Sequence, residues 1–196
     1  MCIWQTVNGS KCSCSNGALS YHVLNYQDYP SPPANDGENQ ITGFTGVSYK
    51  YWKEIISGDF PNCNLAPVRN MEQVEFYQMI KPDDEGTAAL LGVVRADPVT
   101  SVTACHQAHE VADDGQENVD YSACYGGWIN TIDGSDVPYN NTDLWGRIPL
   151  GYLDGNYVGI ANLGDTESPI YAHSMYSNMY AYAILECCTE ATCYNN

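Results

Sequence analysis

The nine cysteines are the residues of this chain most able to form covalent bonds. They exceed what a cytosolic protein usually carries, which favours disulfides in an oxidising compartment over metal binding. Most lie near the chain ends, where neighbours such as Cys187 and Cys188 are too close to pair without strain. We therefore predict disulfides that join one end of the chain to the other. The two groups are Cys2, Cys12 and Cys14, and Cys187, Cys188 and Cys193.

Three cysteines remain in the middle of the chain. A bridge between Cys105 and Cys124 would close a loop of about 20 residues and stabilise the fold by roughly 3 kcal/mol in the loop-entropy description. Cys63 is then the odd thiol. Two interpretations stay open for it, an intermolecular bridge in an assembly and a buried free thiol.

His106, His109 and Glu110 lie in a segment that looks like a metal motif. Its spacing is neither His-Glu-x-x-His nor His-x-x-Glu-His, so loop histidines with ordinary hydrogen bonds are the better interpretation. A nucleophile pair of Cys105 with His173 would need an orienting acid and an oxyanion hole, and nothing in the sequence places either. We therefore predict no catalytic residue.

Acidic turns recur along the chain, and the richest lies between Cys105 and Cys124. Calcium takes six to eight oxygen ligands from flexible loops, although the EF-hand spacing is missing here. The prediction is either no cofactor or one structural Ca²⁺, with solvated turns as the alternative. The candidate ligands are Asp113, Asp114, Glu117, Asn118 and Asp120.

Sixteen tyrosines and four tryptophans offer rings that can stack on sugar faces while their polar ends form hydrogen bonds. Aromatic and polar residues are interleaved in one segment, which we predict to hold a carbohydrate pocket. Core packing and protein interfaces are the alternative use of the same residue types. The predicted ligand-binding residues are Tyr139, Asp143, Trp145, Tyr152, Asp154, Asn156 and Tyr157.

The charge balance excludes several kinds of partner. Seven Lys and Arg against 24 Asp and Glu give a formal net charge of −17, which repels nucleic-acid backbones and anionic membranes. No window approaches the roughly 20 apolar residues of a membrane helix. With the cysteines, this composition predicts an extracellular protein, and two sequons predict glycosylation at Asn8 and Asn140 if the source is eukaryotic.

Short secondary-structure elements must position these residues, because Gly and Pro interrupt the chain every 8 to 15 residues or so. Val, Ile, Thr and aromatic residues fill the intervals, which predicts an all-β fold, mainly antiparallel, as a β-sandwich or two small packed sheets with long disulfide-stapled loops. The candidate strands are Ala18 to Tyr26, Gly46 to Ile56, Val74 to Ile80, Ala88 to Arg95, Ser101 to His106, Gly127 to Ile132, Tyr157 to Ala161 and Met179 to Cys187.

The chain also shows a weak internal repeat. The segment from Trp52 to Pro61 resembles the segment from Trp128 to Pro138, and Gly92 and Gly159 each precede a histidine by the same interval. We predict a Cys-rich strip over 1–40, a first unit over 41–127 and a second over 128–196, in separate units or one compact domain.

This pattern resembles the DM9 repeat of natterin-type and bivalve lectin proteins. There a Trp leads through a Gly-x-Val-Pro turn to a Tyr-Val-Gly-x-Ala strand, a His and a final Tyr-x-Val-Leu. The second unit matches at Trp128, Gly134, Val137, Pro138, Tyr157 to Ala161, His173 and Tyr182 to Leu185; the first matches at Trp52, Gly58, Pro61, Gly92 and His106. The family's basic Gly-Lys-Val and Gly-Lys-Glu segments have no counterpart. The resemblance implies a lectin-like protein without the family's mannose-binding residues.

The sequence leads to three hypotheses about function. The first is a secreted, non-catalytic module that binds carbohydrates or glycoproteins. The second is a structural subunit of an extracellular fibre or coat, whose partners are copies of itself. The third and weakest is a secreted hydrolase, since paired carboxylates occur anywhere in so acidic a chain.

Overall fold

A computed structural model describes residues 13–16, 19–29, 46–82, 88–97, 103–105, 107–108, 127–137, 157–161, 170–173 and 180–188. The strands are β1 Ser13–Asn16, β2 Leu19–Asn25, β3 Cys63–Leu65, β4 Ala88–Arg95, β5 Trp128–Asn130, β6 Tyr157–Ala161, β7 Ile170–His173 and β8 Tyr180–Cys188. The helices are α1 Tyr49–Asp59 and α2 Met71–Ile80, with a 3₁₀ turn at Tyr26–Asp28. Residues 103–105 and 107–108 are also helical.

All of these strands belong to one sheet. Its order is β1-β2-β8-β4-β6-β7, with β3 paired to β8 and β5 paired to β4. The pairing of β4 with β8 is parallel, and the other described pairings are antiparallel. Strand β2 covers one edge of β8, so β4 and β3 share the opposite edge, one after the other.

The central strand β8 is buried along its whole length, as expected for a strand covered on both faces. On one face Ile184 packs in a cluster with Val74 and Tyr77 of α2. On the other face Leu185 belongs to the cluster that contains Trp52 of α1. Because successive strand residues point to opposite faces, the two helices cover opposite sides of the sheet.

Helix α1 begins at the N-cap Ser48, whose hydroxyl accepts a hydrogen bond from the Tyr51 amide at 3.3 Å. Three of its four buried residues, Tyr49, Trp52 and Ile56, follow the i, i+3, i+7 spacing of a helix face. The Trp52 indole donates to the Tyr180 carbonyl at 2.9 Å, which anchors the helix to β8. The prediction of a strand over Gly46 to Ile56 is therefore wrong.

Helix α2 begins at the N-cap Asn70, whose side chain accepts from the Gln73 amide at 2.9 Å. Val74, Tyr77 and Ile80 form its buried face, again at helical spacing. The predicted strand over Val74 to Ile80 is wrong for the same reason as the first. Aromatic and β-branched residues favour strands by propensity, but capping and tertiary packing decide here.

The prediction of an all-β fold with a β-sandwich or two packed sheets is only partly correct. The protein is strand-rich, and strands are confirmed at Ala88–Arg95 and Tyr157–Ala161 with the predicted bounds. It is not all-β, because α1 and α2 cover the sheet, and the described strands form one sheet instead of two. The predicted strand over Ser101 to His106 is helical at residues 103–105.

The described sheet also bears on the predicted units. It joins strands from all three predicted segments, with β2 and β8 side by side. Trp52 lies in helix α1 whereas Trp128 lies in strand β5, so the two resembling segments differ in secondary structure. Gly92 and Gly159 lie in neighbouring strands β4 and β6.

Candidate binding groove

A groove of about 690 Å³ lies between α1, the segment that follows it, and one end of β4 and β5. That volume is in the usual range for small-molecule sites. Its lining mixes aromatic, aliphatic and hydrogen-bonding side chains. The lining residues are Tyr49, Lys53, Ile56, Ser57, Phe60, Pro61, Cys63, Asn64, Leu65, Val94, Ile129 and Thr131.

One wall of the groove is a single face of α1. Tyr49, Lys53, Ile56 and Ser57 are spaced so that a helix presents them on one side. Tyr49 and Ile56 are buried, whereas Lys53 and Ser57 are exposed. The wall therefore has an apolar base and a polar rim.

Tyr157 is the one predicted ligand-binding residue that the structure describes; it is not among the lining residues but packs against Tyr49, which is one of them. Its ring stacks on Tyr49, with centroids 3.9 Å apart and planes 29° apart. The Tyr180 hydroxyl donates to the Tyr157 carbonyl at 3.2 Å. Burial, followed by the neighbouring Tyr157, raises the pKa of the Tyr49 hydroxyl, so this group is a neutral hydrogen-bonding group at ordinary pH.

The second wall is the segment 61–65, which leads into β3 and is tied to β8 by a disulfide. Cys63 bonds to Cys187, with Cα atoms 4.0 Å apart. The Cys63 amide donates to Phe60 and the Cys188 amide donates to Asn62. Cys63 and Cys187 therefore face each other at a position of the antiparallel pair without backbone hydrogen bonds, where side chains approach closely.

This bridge overturns the prediction for Cys63, which is neither an odd thiol nor an intermolecular bridge. Cys187 is in a disulfide, as predicted, but its partner comes from the middle of the chain. The sequence separation of 124 hides the pairing, because only the alignment of β3 with β8 brings the two residues together. Cys105 and Cys188 are confirmed as disulfide-bonded.

The base of the groove depends on a glycine. A Cβ added to Gly92 would lie 2.4 Å from the Leu65 carbonyl oxygen and 3.0 Å from the Thr131 hydroxyl. The Gly92 amide donates to the Ala66 carbonyl, and its own carbonyl accepts from the Thr131 amide, both at 2.8 Å. Only a residue without a side chain lets the chain after β3 pass this close to β4.

A separate polar cluster lies on the α2 side of the sheet, around the buried carboxylate of Glu186. This side chain is 1% exposed, and it accepts from the Tyr21 hydroxyl at 2.7 Å and from Arg69 at 3.3 Å. Arg69 also lies 3.7 Å from the exposed carboxylate of Asp133. The cluster therefore satisfies a buried charge with two donors, which identifies it as a structural network joining β2, β8 and the α2 entry loop.

The titration of this cluster follows from its contacts. Burial, followed by the hydrogen bond to Glu186, raises the pKa of Tyr21. Burial lowers the pKa of Arg69, but its hydrogen bond with Glu186 and the nearby carboxylates reverse this and raise it overall. Hydrogen bonds from Ser135, together with Arg69, lower the pKa of Asp133. Arg69 and Asp133 therefore form an ion pair at neutral pH.

Several predicted residues fall outside the part of the chain that the structure describes. For the ligand site these are Tyr139, Asp143, Trp145, Tyr152, Asp154 and Asn156; for calcium, Asp113, Asp114, Glu117, Asn118 and Asp120; for glycosylation, Asn8 and Asn140; and for disulfides, Cys2, Cys12, Cys124 and Cys193. Cys14 is described only as a backbone position in β1, opposite Tyr21. These remain predictions.

Two features are absent from the described residues. No group of three or more His, Cys, Asp or Glu among them is arranged to hold a metal ion. Within the same residues, no helix is long and apolar enough to cross a membrane.

Sequence reasoning missed most of the groove because it assigned its main wall to a strand. The signal was present, since the i, i+4, i+7 and i+8 spacing of Tyr49, Lys53, Ile56 and Ser57 is helical. The contributions of Asn64 and Thr131 depend on the disulfide and on Gly92, which bring distant segments together. Neither protein-family models nor curated proteins give a match to this chain.

Proposed function

We propose that the protein is a secreted, lectin-like binding module and that the groove beside α1 holds a carbohydrate. The observation that carries the proposal is the composition of the groove lining. The aromatic and apolar surface of Tyr49, Phe60 and Pro61 suits the C–H face of a sugar ring. Lys53, Ser57 and Asn64 provide hydrogen-bonding groups around it, as hydroxyl-rich ligands require.

Binding fits this lining better than catalysis. Among the described residues that line the groove, the ionisable side chains are Lys53 and Tyr49, and none is a carboxylate or an imidazole. Glycoside hydrolysis ordinarily uses two carboxyl groups that flank the scissile bond. The groove as described therefore supports a binding role over the hydrolase alternative.

Two further observations support a secreted protein of lectin type. The cysteines that are disulfide-bonded, Cys63, Cys105, Cys187 and Cys188, favour an oxidising compartment. The DM9 resemblance remains part of the proposal. The Trp-to-Pro segment that carries this resemblance contains strand β5 and a turn with Gly134 at φ 72°. Within it, the Val137 amide donates to the Trp128 carbonyl at 2.8 Å.

The fibre alternative rests on a spare cysteine, on a composition rich in Tyr and poor in Lys, and on the lack of a catalytic set in the sequence. Cys63 is bonded within its own chain, so it is not the residue that would link copies, but an odd total of nine cysteines still leaves another over. We place carbohydrate binding ahead of self-assembly because of the groove lining.

The experiment is a glycan array of neutral and acidic oligosaccharides, probed with the wild-type protein and with two variants of α1. Ser57→Trp places a large ring in the groove from an exposed position. Glu54→Trp places the same ring on the same helix at an exposed position outside the groove lining. We expect Ser57→Trp to weaken binding about tenfold or more and Glu54→Trp to bind like the wild type, a difference of about 1.4 kcal/mol.

Two results would contradict the proposal. The first is an array without any bound glycan, repeated with Ca²⁺ present. The second is a bound glycan whose affinity Ser57→Trp and Glu54→Trp leave equally unchanged, since that ligand would occupy another surface.

A further inference from the structure

The disulfide between Cys63 and Cys187 is part of the groove itself. Cys63 lines the groove and is partly exposed, whereas Cys187 is buried at 7% exposure. Cys63 is therefore the half of the bridge that borders the groove.

The bridge also fixes the wall that carries it. Strand β3 is three residues long and aligns with β8 at one end of a shared edge. The Cys188 amide donates to Asn62 at 3.0 Å, and the Ala66 amide donates to Ile184 at 2.8 Å. The covalent link adds to these bonds and to the pairing of Asn64 and Leu65 with β8 in holding both as lining residues.

We propose that this disulfide is a redox latch of the groove, and that its reduction releases the wall 61–65 and weakens ligand binding. The proposal rests on the binding function proposed above. The physical reason is that β3 is only three residues long, and a short strand opens locally more readily once its cross-link to β8 is gone. Partly exposed disulfides are also the ones that reductants reach most readily.

The reaction balances with a dithiol as the reductant. Its first thiolate attacks Sγ of Cys63, the bond between the two protein sulfurs breaks, and Cys187 leaves as a thiolate that takes up a proton. The second thiol of the reductant then attacks the mixed disulfide and releases Cys63 as a thiol. Two electrons pass to the protein, and the reductant becomes a disulfide.

The first test measures which bridge opens first. The full-length protein is treated under native conditions with rising dithiothreitol, alkylated with iodoacetamide and mapped by mass spectrometry. We expect Cys63 and Cys187 to become labelled about tenfold faster than Cys105 and Cys188, since access controls exchange. Labelling of Cys105 or Cys188 first, or of all four together, would overturn the latch.

The second test uses the double variant Cys63→Ala/Cys187→Ala and backbone hydrogen exchange. We expect the amides of Ala66 and Cys188 to exchange about tenfold faster than in the wild type. The amide of Val137, bonded to Trp128 on β5, serves as the internal control and should not change. Faster exchange at all three amides would mean global destabilisation and would contradict a local latch.

The third test repeats the glycan array with this double variant. We expect a loss of affinity of about tenfold, within the usual range of coupling between sites. Unchanged affinity would overturn the latch and leave the groove proposal standing. If the oxidised wild type binds no glycan, the binding proposal fails, and the labelling and exchange results still decide whether the wall opens.

Discussion

At the scale of single residues, the absence of a side chain at Gly92 is as consequential as any contact. The Leu65 carbonyl oxygen occupies the space that a Cβ would need, and backbone atoms cannot move aside as the end of a long side chain can. The glycine therefore permits the close approach that forms the base of the groove.

We expect Gly92→Ala to destabilise the protein by roughly 1–3 kcal/mol, the usual cost of overpacking a core. The matched control is Gly58→Ala in α1, where a new Cβ meets no atom within 4 Å. There the better helix propensity of alanine should stabilise by up to about 1 kcal/mol. Urea unfolding of both variants measures the difference, and equal effects would contradict the close approach.

Tyr21 affects stability in two ways, through its hydrogen bond to Glu186 at neutral pH and through its raised pKa at alkaline pH. Tyr21→Phe removes one donor from the buried carboxylate of Glu186, which should cost about 1–3 kcal/mol at pH 7. Tyr29→Phe is the control, since it keeps the ring contacts with Trp52 and Phe60 and should change stability by less than about 1 kcal/mol at that pH.

The same variants report on alkaline stability. Burial and Glu186 raise the pKa of Tyr21 above its ordinary value of 10.0, and burial and nearby aspartates raise the pKa of Tyr29 to about 12. Above pH 10 the unfolded chain loses protons that the folded protein retains, so the free energy of unfolding falls as pH rises. We expect both variants to show a shallower fall from pH 10 to 12 than the wild type, measured by urea unfolding at each pH. Parallel curves would contradict this assignment.

At the scale of elements, α2 depends on a cap at its start. Asn70 accepts from the Gln73 amide, and the Gln73 side chain in turn accepts from the Arg69 amide at 2.7 Å. Asn70→Ala should cost about 1 kcal/mol, whereas Asn70→Asp keeps an acceptor and should stay near the wild type. Thermal unfolding of the two variants tests this, and equal losses would mean that the cap contributes nothing.

The helices also show where sequence reasoning succeeds and fails. Strands β4 and β6 are predicted correctly because short apolar runs between turn residues have few alternatives. Helix α1 was missed because Tyr49, Tyr51 and Trp52 carry strand propensity, and the helical spacing was outweighed by it. The groove was missed with it, because its second wall depends on the pairing of Cys63 with Cys187, which no local pattern specifies.

At the scale of the whole molecule, the sheet and the charge act together. The sheet joins strands from both ends of the described chain, and helices cover both of its faces. Folding brings a formal charge of −17 into a smaller volume than the unfolded chain occupies, and this self-repulsion opposes the compact state. Stability should therefore depend on ionic strength through the molecule's total charge.

We expect the melting temperature to rise with NaCl between about 0.01 M and about 1 M, as the screening length falls from about 30 Å to about 3 Å. A gain of 1 kcal/mol corresponds to about 2–4 °C for a chain of this size, which calorimetry resolves. A melting temperature independent of NaCl would contradict the self-repulsion argument.

Comparing CaCl₂ with MgCl₂ at matched ionic strength separates screening from a specific site. Screening alone predicts equal melting temperatures, whereas an excess with Ca²⁺ would show that the protein binds this ion specifically. Asp113→Asn would then test the predicted calcium loop, because loss of a ligand there should remove that excess while leaving the NaCl dependence in place.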